Sequence, residues 1–382
     1  MQKDVYQQSL DLHELRKGKI ELASKVKLDS KEALSLAYTP GVAEVSRKVA
    51  EDPQAAYKYT LKNNTIAVVS DGSAILGLGN LGALAAIPVM EGKAAIFKEF
   101  AGVDAFPICL DTQDTEEIIK AVKQIAPVFG GINLEDIAAP RCFEIEKRLR
   151  EELDIPVMHD DQWGTATVNL AGLINALKLA GLEKDQAVVV INGVGSAGVA
   201  TARLFDHYGI KNLIFCDSQG IIHANRDNLT PEKLELINAS TAKVSEGGLA
   251  DALRGANVFI GMSKPGLLTA EMVKSMATRP IIFALSNPVP EIMPDEALAA
   301  GAFIVATGRS DFANQLNNSL AFPGIFKGML ESRARQFEIG MFVAVAEALA
   351  GMVNNPTTDK ILPTMFEPGV ADTVANAIKK SV

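Results

Sequence analysis

The sequence predicts an α/β fold built on a doubly wound parallel sheet. Short apolar, β-branched runs alternate along the chain with longer helical patterns, and several of these runs end in polar or glycine-rich loops. Loops at the ends of parallel strands are where open α/β sheets place their sites. The 382 residues are enough for two or three domains. We expect a first domain over residues 1–160 and a second over 161–382, with the C-terminal helix folding back on the first.

Composition and charge argue against several classes of function. The chain has 37 Lys and Arg against 46 Asp and Glu, a net charge of −9, which disfavours nucleic-acid binding and leaves no basic membrane patch. The start, MQKDVYQQ, lacks an apolar signal core, and no apolar run is long enough to span a membrane. Three cysteines lie scattered without metal or redox spacing, as small buried hydrophobes do in a reducing compartment. We therefore expect a cytoplasmic enzyme.

In the first domain, helices and strands are predicted to alternate. Helices are expected over residues 3–17, from about residue 39, and over 81–90, 115–126 and 140–153; strands are expected at TIAVVS, DAFPICLD, APVFGGIN and IPVMH. His13 is interpreted as a surface residue of the first helix. Tyr38 is placed in the turn before the next helix, where Pro40 suits the first turn.

Lys93 admits two interpretations. It follows Glu91 and Gly92 and opens the apolar run AAIF, and a lysine beside an apolar segment usually extends its ammonium group to water. A lysine of lowered pKa could instead act as a base. The loop before it, DGSAILGLGNLG, is rich in glycines that let the backbone approach a neighbour closely.

Two acidic pairs follow neighbouring predicted strands. Glu135 and Asp136 come after GGIN, and Asp160 and Asp161 come after IPVMH. Carboxylates that converge at a sheet edge repel one another unless a cation lies among them, and Mg²⁺ and Mn²⁺ prefer such oxygen ligands. The alternative is that the first pair lies at a helix N-terminus and the second caps a helix that starts near Trp163.

A dinucleotide fingerprint opens the second domain. The strand AVVVIN is followed at once by Gly193, Gly195 and Gly198 in the spacing G-x-G-x-x-G, and a helical pattern comes next. The following strand ends in Asp217, which lies 19 residues past Gly198, where an acid binds the ribose of NAD. These features predict a Rossmann-like domain that binds NAD. The alternative is a tight strand–helix junction in an unrelated α/β domain.

The remaining strands of the second domain lead into polar loops. Strands are predicted at ANVFIG, PIIFALS and AFIVATG, and helices at about 324–332, 335–353 and 368–380. Asn287 follows one strand, and Asn317 and Asn318 follow another. Asparagine there is commonly turn chemistry, but both loops would open on the sheet edge that carries the fingerprint.

The motifs taken in order resemble the malic enzymes, in the short bacterial form. The resemblance runs from about residue 14 to 375 and rests on AYTPGVAE, SDGSAILGLGNLG, EGKAAIFK, GGINLEDIAAP, HDDQWGTA, NGVGSAG, ALSNP and ATGRSDFANQLNN. It implies an N-terminal malic-enzyme domain and oxidative decarboxylation of L-malate to pyruvate and carbon dioxide. It also implies NAD and either Mg²⁺ or Mn²⁺ as cofactors. Arg226 leaves NADP possible in place of NAD.

The resemblance implies roles for individual residues. Lys93 would be the general base, Tyr38 the general acid and Asp160 an acid beside the base. The metal ligands would be Glu135, Asp136 and Asp161. Substrate would contact Asn287 and Asn317. The expected nucleotide-binding set is Gly193, Gly195, Ser196, Ala197, Gly198, Asp217, Thr165 and Asn287.

One position departs from the family pattern. Ala74 stands where larger members carry an arginine, and the glycine-loop amides, Asn317 or Arg309 are the candidates to replace its carboxylate contact. Two related reactions remain open, a metal-dependent decarboxylation of oxaloacetate and a direct malolactic conversion. We expect a small-molecule substrate and a homodimer, in which Tyr38 could serve its own or the partner's site.

Overall fold

The computed structural model describes residues 4–227, 229–242 and 246–382. The chain begins with four helices, α1 (Val5–Arg16), α2 (Lys31–Ala37), α3 (Val42–Glu51) and α4 (Ala55–Tyr59). None of these four helices buries a residue. Tyr38 ends α2 and precedes α3, so it lies in the predicted turn.

The first sheet follows, in a regular alternation of strand and helix. Its elements are β1 (Thr65–Ser70), α5 (Ala83–Ala101), β2 (Asp104–Cys109), α6 (Thr115–Ile125), β3 (Gly131–Leu134), α7 (Arg141–Glu152) and β4 (Val157–His159). The strands are parallel in the order β2-β1-β3-β4. Pro107 lies in β2 at the sheet edge, where its missing N–H is tolerated.

The predicted end of one helix at Met90 is wrong. Helix α5 continues through Gly92 to Ala101 and therefore carries Lys93 near its middle. The buried side chains Met90, Ala94 and Phe97 continue the apolar face across the glycine. Tertiary packing of that face outweighs the local preference of Gly92 for a break.

The second sheet confirms the doubly wound fold. Its elements are α8 (Asp160–Ala180), β5 (Val188–Asn192), α9 (Ser196–Tyr208), β6 (Asn212–Asp217), β7 (Gly220–Ile221), α10 (Pro231–Ala239), α11 (Leu249–Leu253), β8 (Val258–Gly261), α12 (Ala270–Ser275), β9 (Ile281–Ala284), α13 (Pro294–Ala299) and β10 (Ile304–Thr307). The strand order is β10-β9-β8-β5-β6-β7, parallel except for the antiparallel edge strand β7.

Three helices close the chain and bring its end to the first sheet. They are α14 (Phe322–Ser332), α15 (Ile339–Gly351) and α16 (Val370–Ser381). Phe97 of α5 meets Phe322 of α14 with ring centroids 4.7 Å apart. Helix α16 packs closely on α14, because a Cβ on Gly328 would lie 2.6 Å from Ile378 Cβ. In the described part of the chain, no helix has the length and apolar character needed to cross a bilayer.

Candidate active site

A cleft of about 710 Å³ lies where the carboxyl ends of the two sheets face each other. The predicted residues that line it are Lys93, Glu135, Asp136, Asp161, Thr165, Ser196, Ala197, Asn287 and Asn317. A larger cleft of about 790 Å³ lies behind α7 and the start of α8, between Arg141 and Trp163 on one side and Arg203 on the other. We take the smaller cleft as the candidate site because its lining includes both the predicted metal ligands and the start of α9, whereas the lining of the larger cleft includes neither.

The three predicted metal ligands converge in this cleft. Glu135 and Asp136 follow β3, Asp161 lies in the first turn of α8, and one carboxylate oxygen of each lies within 4.8 Å of the others. The Asp136 backbone N–H donates to Asp161 Oδ2 at 2.8 Å, so the two strand ends are joined directly. Helix α8 begins at Asp160, earlier than the predicted start near Trp163, and the second acidic pair is therefore part of the helix rather than its cap.

Burial and mutual repulsion shift the pKa values of these acids. Burial raises the pKa of Asp136 to about 8, with further contributions from the charges of Asp161 and Glu135. Burial also raises the pKa of Glu135 to about 7 and that of Asp161 to about 6, against the opposing charge of Lys93. Asp136 Oδ2 is buried and has no hydrogen-bond partner among the described residues. Oxygens in this state suit a hard divalent cation.

Lys93 is buried at the centre of the acidic group. Its Nζ lies 2.6 Å from Asp160 Oδ2 and 2.8 Å from Glu135 Oε1, and it stands 4.2 Å from the ring centroid of Phe322. Burial lowers the pKa of Lys93, but the charges of Asp160 and Glu135 outweigh it and raise the pKa above its usual range. In this arrangement Lys93 holds a proton that either carboxylate can accept.

A glycine makes room for Asp160. Asp160 Oδ1 has no hydrogen-bond partner among the described residues, and a Cβ on Gly164 would lie only 1.9 Å from it. Gly164 is not among the residues predicted from the sequence. Its signal was present, because Gly164 follows Asp160 by four residues and therefore lies on the same helix face.

A second missed residue holds the strand–helix junction from behind. The buried carboxylate of Glu146 accepts hydrogen bonds from His159 N at 2.9 Å, Gln162 Nε2 at 3.1 Å and Trp163 Nε1 at 3.2 Å. These three donors flank Asp160 and Asp161 in sequence. Glu146 shares the buried face of α7 with apolar residues, and an acid at such a position was the available signal.

The glycine fingerprint supports the part of the cleft that Ser196 and Ala197 line, which we call the glycine wall. Gly193 has a φ of 102°, and a Cβ there would lie 2.4 Å from Met262 O; a Cβ on Gly198 would lie 2.1 Å from Gly193 O. At Gly195, no atom lies within 4 Å of a Cβ position. The first and third glycines thus permit tight packing, and the second leaves open space at the N-terminus of α9, which suits a pyrophosphate.

Asp217 ends β6 as predicted, but it is paired with two cations. Its carboxylate lies 3.0 Å from Arg226 and 3.0 Å from Lys233. The pKa of Asp217 is lowered, because hydrogen bonds from Gln219 N, Lys233 and Arg226 outweigh its partial burial. The two basic side chains offset the negative charge that would otherwise repel a 2′-phosphate.

The two predicted asparagines reach the cleft from the loops after β9 and β10. Asn287 packs against two glycines: a Cβ on Gly308 would lie 2.8 Å from its Nδ2, and one on Gly77 would lie 2.0 Å from its backbone O. Asn317 Oδ1 accepts a hydrogen bond from Ser319 N at 2.9 Å. Ala74 also lines the cleft. Arg309 is directed to Asp311 and Pro288 O.

Tyr38 is the one predicted catalytic residue that the structure does not bring to this site. It is 63% exposed and does not line the cleft of its own chain. His13 lies on α1, a helix that buries no residue, and its side chain is half-buried, which is compatible with the expected surface position. His13 lines the cleft together with Ser9 and Lys19.

Family models and known proteins match almost the whole chain. Residues 17–150 match the family model for the malic enzyme N-terminal domain, and residues 163–382 match that for the malic enzyme NAD-binding domain. The bifunctional malic/malolactic enzyme of Bacillus subtilis is 52% identical over 98% of this chain and 92% of its own length. The NAD-dependent malic enzyme of Geobacillus stearothermophilus is 53% identical over 94% of this chain and 76% of its own.

A solved structure is similar in fold as well as sequence. The NAD-dependent malic enzyme of Thermotoga maritima superposes with a TM-score of 0.95 at 49% identity, covering 99% of each chain.

Proposed function

Because this chain belongs to the malic enzyme family, we propose that it oxidatively decarboxylates L-malate to pyruvate and carbon dioxide, with NAD as cofactor and Mg²⁺ or Mn²⁺ bound. One observation carries the proposal. Lys93 and Glu135 line the same cleft as Ser196 and Ala197 at the start of α9, so a base can reach the C2 hydroxyl of a substrate whose C2 hydrogen faces the nucleotide.

Glu135, Asp136 and Asp161 are the proposed ligands of the cation. Their grouped oxygens, raised pKa values and the unpartnered Asp136 Oδ2 support this assignment. When bound, the cation supplies a Lewis acid that stabilises negative charge on the substrate oxygens.

Lys93 is the proposed general base for the C2 hydroxyl of malate. To act, Nζ must first give up its proton, and Asp160 Oδ2 at 2.6 Å is the nearest acceptor. Burial raises the pKa of Asp160 to about 7, which suits a group that holds a proton near neutral pH. Phe322, over which Nζ lies, keeps water away from this transfer.

We assign the nucleotide to the glycine wall. Ser196 and Ala197 at the start of α9 would lie beside its pyrophosphate, and Thr165 and Asn287 line the space that would receive its nicotinamide end. Asp217 favours NAD, as an acceptor for the ribose hydroxyls. Arg226 and Lys233 beside it favour NADP, so use of both nucleotides is the second candidate.

A homodimer accounts for two features of the N-terminal segment. Helices α1 to α4 bury no residue, and the segment that contains them exposes large apolar side chains, among them Val5, Leu15, Leu22 and Leu36 at 70–85%. Burial of apolar area is the main force for association. We propose that a second copy covers this segment, and that Tyr38 protonates the enolate carbon in the partner's cleft.

Mixed dimers test the assignment of Tyr38. Tyr38→Phe and Lys93→Met proteins, each inactive alone, are unfolded together and refolded as a mixture. A shared site predicts that activity returns, because a mixed dimer contains one site with both native residues. A mixture that stays inactive while sedimentation shows mixed dimers would contradict the shared site, and a monomer at working concentration would contradict the dimer.

A paired assay tests the reaction. With Mn²⁺ present, one reaction contains L-malate with NAD or NADP and is followed by nucleotide reduction and pyruvate. The other contains oxaloacetate alone and is followed by its disappearance. Nucleotide reduction with pyruvate supports the proposal. Oxaloacetate loss alone would replace it by a decarboxylase, and lactate without free reduced nucleotide would replace it by a malolactic enzyme, the activity named for the Bacillus subtilis relative.

A further inference from the structure

The N-terminal segment forms a wall of the cleft that no predicted residue occupies. Ser9, His13 and Lys19 all line it. Ser9 and His13 are one turn apart on α1, and His13 Nδ1 lies 2.7 Å from Ser9 O, which fixes the ring. His13 Nε2 is buried and has no partner among the described residues. This wall therefore presents polar atoms to the cleft.

The end of α1 is fastened to α5 one turn before Lys93. Lys17 and Gly18 have positive φ values of 56° and 112°, so the chain turns sharply there. Lys19 N then donates to Glu91 Oε2 at 3.2 Å, and Lys19 Nζ donates to Pro88 O at 2.5 Å. A Cβ on Gly92 would lie 3.3 Å from Lys19 Nζ. The ammonium group is thus held at the helix face that leads to Lys93.

Among the described residues, no ion pair is found for the ammonium group of Lys19, although the charge of the nearby Glu91 carboxylate acts on it. The basic residues that line the cleft, within the described ranges, are His13, Lys19 and Lys93. Lys93 is paired with Asp160 and Glu135. Lys19 Nζ has three N–H groups, and the hydrogen bond found for them goes to the neutral Pro88 O.

Malate brings two carboxylates into a site that already contains four acidic side chains. A second substrate carboxylate therefore needs a positive partner that those acids do not already hold. Ala74 is uncharged, and Arg309 is turned to Asp311 and Pro288 O outside the lining.

We propose that Lys19 binds a carboxylate of malate through Nζ, an inference that rests on the proposed function. Lys19 supplies the positive charge that an arginine at position 74 would supply, but it lies on the N-terminal segment of the cleft lining. Substrate binding then fastens α1 over the cleft, because the same lysine contacts α5 and the bound acid.

Lys19→Met tests this assignment, because methionine keeps most of the apolar stem and removes the charge. We expect the KM for L-malate to rise about 10- to 100-fold, the range for a lost hydrogen bond to a charged group, while the KM for NAD and the kcat change little. Lys19→Arg, which keeps a cation, should bind malate nearly as the native protein does. Lys17→Met is the matched control, two residues away and outside the cleft lining.

Calorimetric titration of L-malate into the Mn²⁺-loaded protein measures malate affinity without relying on turnover. Weaker malate binding by Lys19→Met than by Lys17→Met supports the assignment, whatever reaction the native protein catalyses. Equal malate affinities would overturn it. A fall in Tm with parallel rises in both KM values would also overturn it, since it would show that Lys19 only fastens α1 to α5.

Discussion

The two walls of the cleft are built in different ways. The wall from the first sheet consists of charged side chains in contact, with Lys93 Nζ at 2.6 and 2.8 Å from Asp160 and Glu135. The wall from the second sheet presents uncharged residues, among them Ser196 and Ala197, beside open space at Gly195, where no atom lies within 4 Å of a Cβ position. The first wall places protons and charge, and the second leaves room for a ligand to reach main-chain N–H groups.

The two walls should therefore respond differently to substitution. Removal of atoms should damage the first wall, because Lys93, Asp160 and Glu135 are buried and loss of one partner leaves the charge of another uncompensated. Addition of atoms should damage the second, because its function is the space itself. Gly164 is an exception, because it belongs to the charged wall but should be sensitive to the addition of atoms: its missing side chain leaves the space that Asp160 occupies.

Removal of the base should have the largest effect. Lys93→Met is expected to lower kcat for malate oxidation by about 10² to 10⁴-fold, the usual contribution of a general base, with little change in NAD affinity. Steady-state kinetics and NAD titration by calorimetry measure the two quantities. Lys98→Met is the control, because Lys98 lies on the same helix but is exposed and paired with Asp104. Native turnover by Lys93→Met would remove Lys93 from the mechanism.

Addition of one methyl group to the charged wall should come next. In Gly164→Ala, the new Cβ would lie 1.9 Å from Asp160 Oδ1, so Asp160 must shift away from Lys93. We expect kcat to fall about 10²-fold, as for a misplacement of about 1 Å at a reacting group. Gly340→Ala in α15 is the control, because a Cβ there meets nothing within 4 Å. Equal kcat in both variants would show that the position of Asp160 does not matter.

Two alanine substitutions in the glycine wall should separate binding from stability. Gly195→Ala adds an atom to open space at a φ of −90°, which alanine accepts. It should therefore fold normally and weaken NAD binding by about tenfold, or roughly 1.4 kcal/mol. Gly193→Ala combines a φ of 102° with a contact of 2.4 Å to Met262 O, so it should also destabilise the fold, by about 1–3 kcal/mol. Calorimetry measures the NAD affinity, and urea unfolding measures the free energy of unfolding. Native NAD affinity in Gly195→Ala would contradict the role of the open space.

The smallest effect is a pH dependence confined to the charged wall. Burial raises the pKa values of Asp161, Glu135, Asp160 and Asp136 to about 6, 7, 7 and 8. A carboxyl with a raised pKa stabilises the fold below its unfolded pKa of about 4, and this contribution is lost as pH rises through the folded values. The free energy of unfolding without divalent ions should therefore fall between about pH 5 and 8.

Bound Mn²⁺ should reverse that trend. The ionised carboxylates are its ligands, so the rise in Tm on addition of Mn²⁺ should be larger at about pH 8 than at about pH 5.5. Thermal unfolding with and without Mn²⁺ at both pH values measures the difference. In Asp136→Asn the difference should shrink. A rise in Tm that is the same at both pH values would mean that these acids do not bind the ion.

Local patterns in the sequence were enough to predict the parallel α/β fold, the fingerprint and the two acidic pairs. Their signals lie within a few residues, such as the β-branched run that precedes Gly193 and the short segment GIN that precedes Glu135 by two residues. A residue that directly follows a strand can be assigned to the sheet edge from the sequence, because the carboxyl ends of parallel strands all lie at one edge.

Tertiary structure alone decided which of these residues meet. Lys93 and Asp160 are 67 residues apart in sequence, and their contact depends on the extension of α5 beyond Gly92 and on the space at Gly164. The pairing of Asp217 with Lys233 and the approach of Lys19 to α5 are likewise contacts between separate elements. Sequence spacing does not encode such contacts, because they arise from how buried faces pack, and packing is also what left Tyr38 outside the cleft of its own chain.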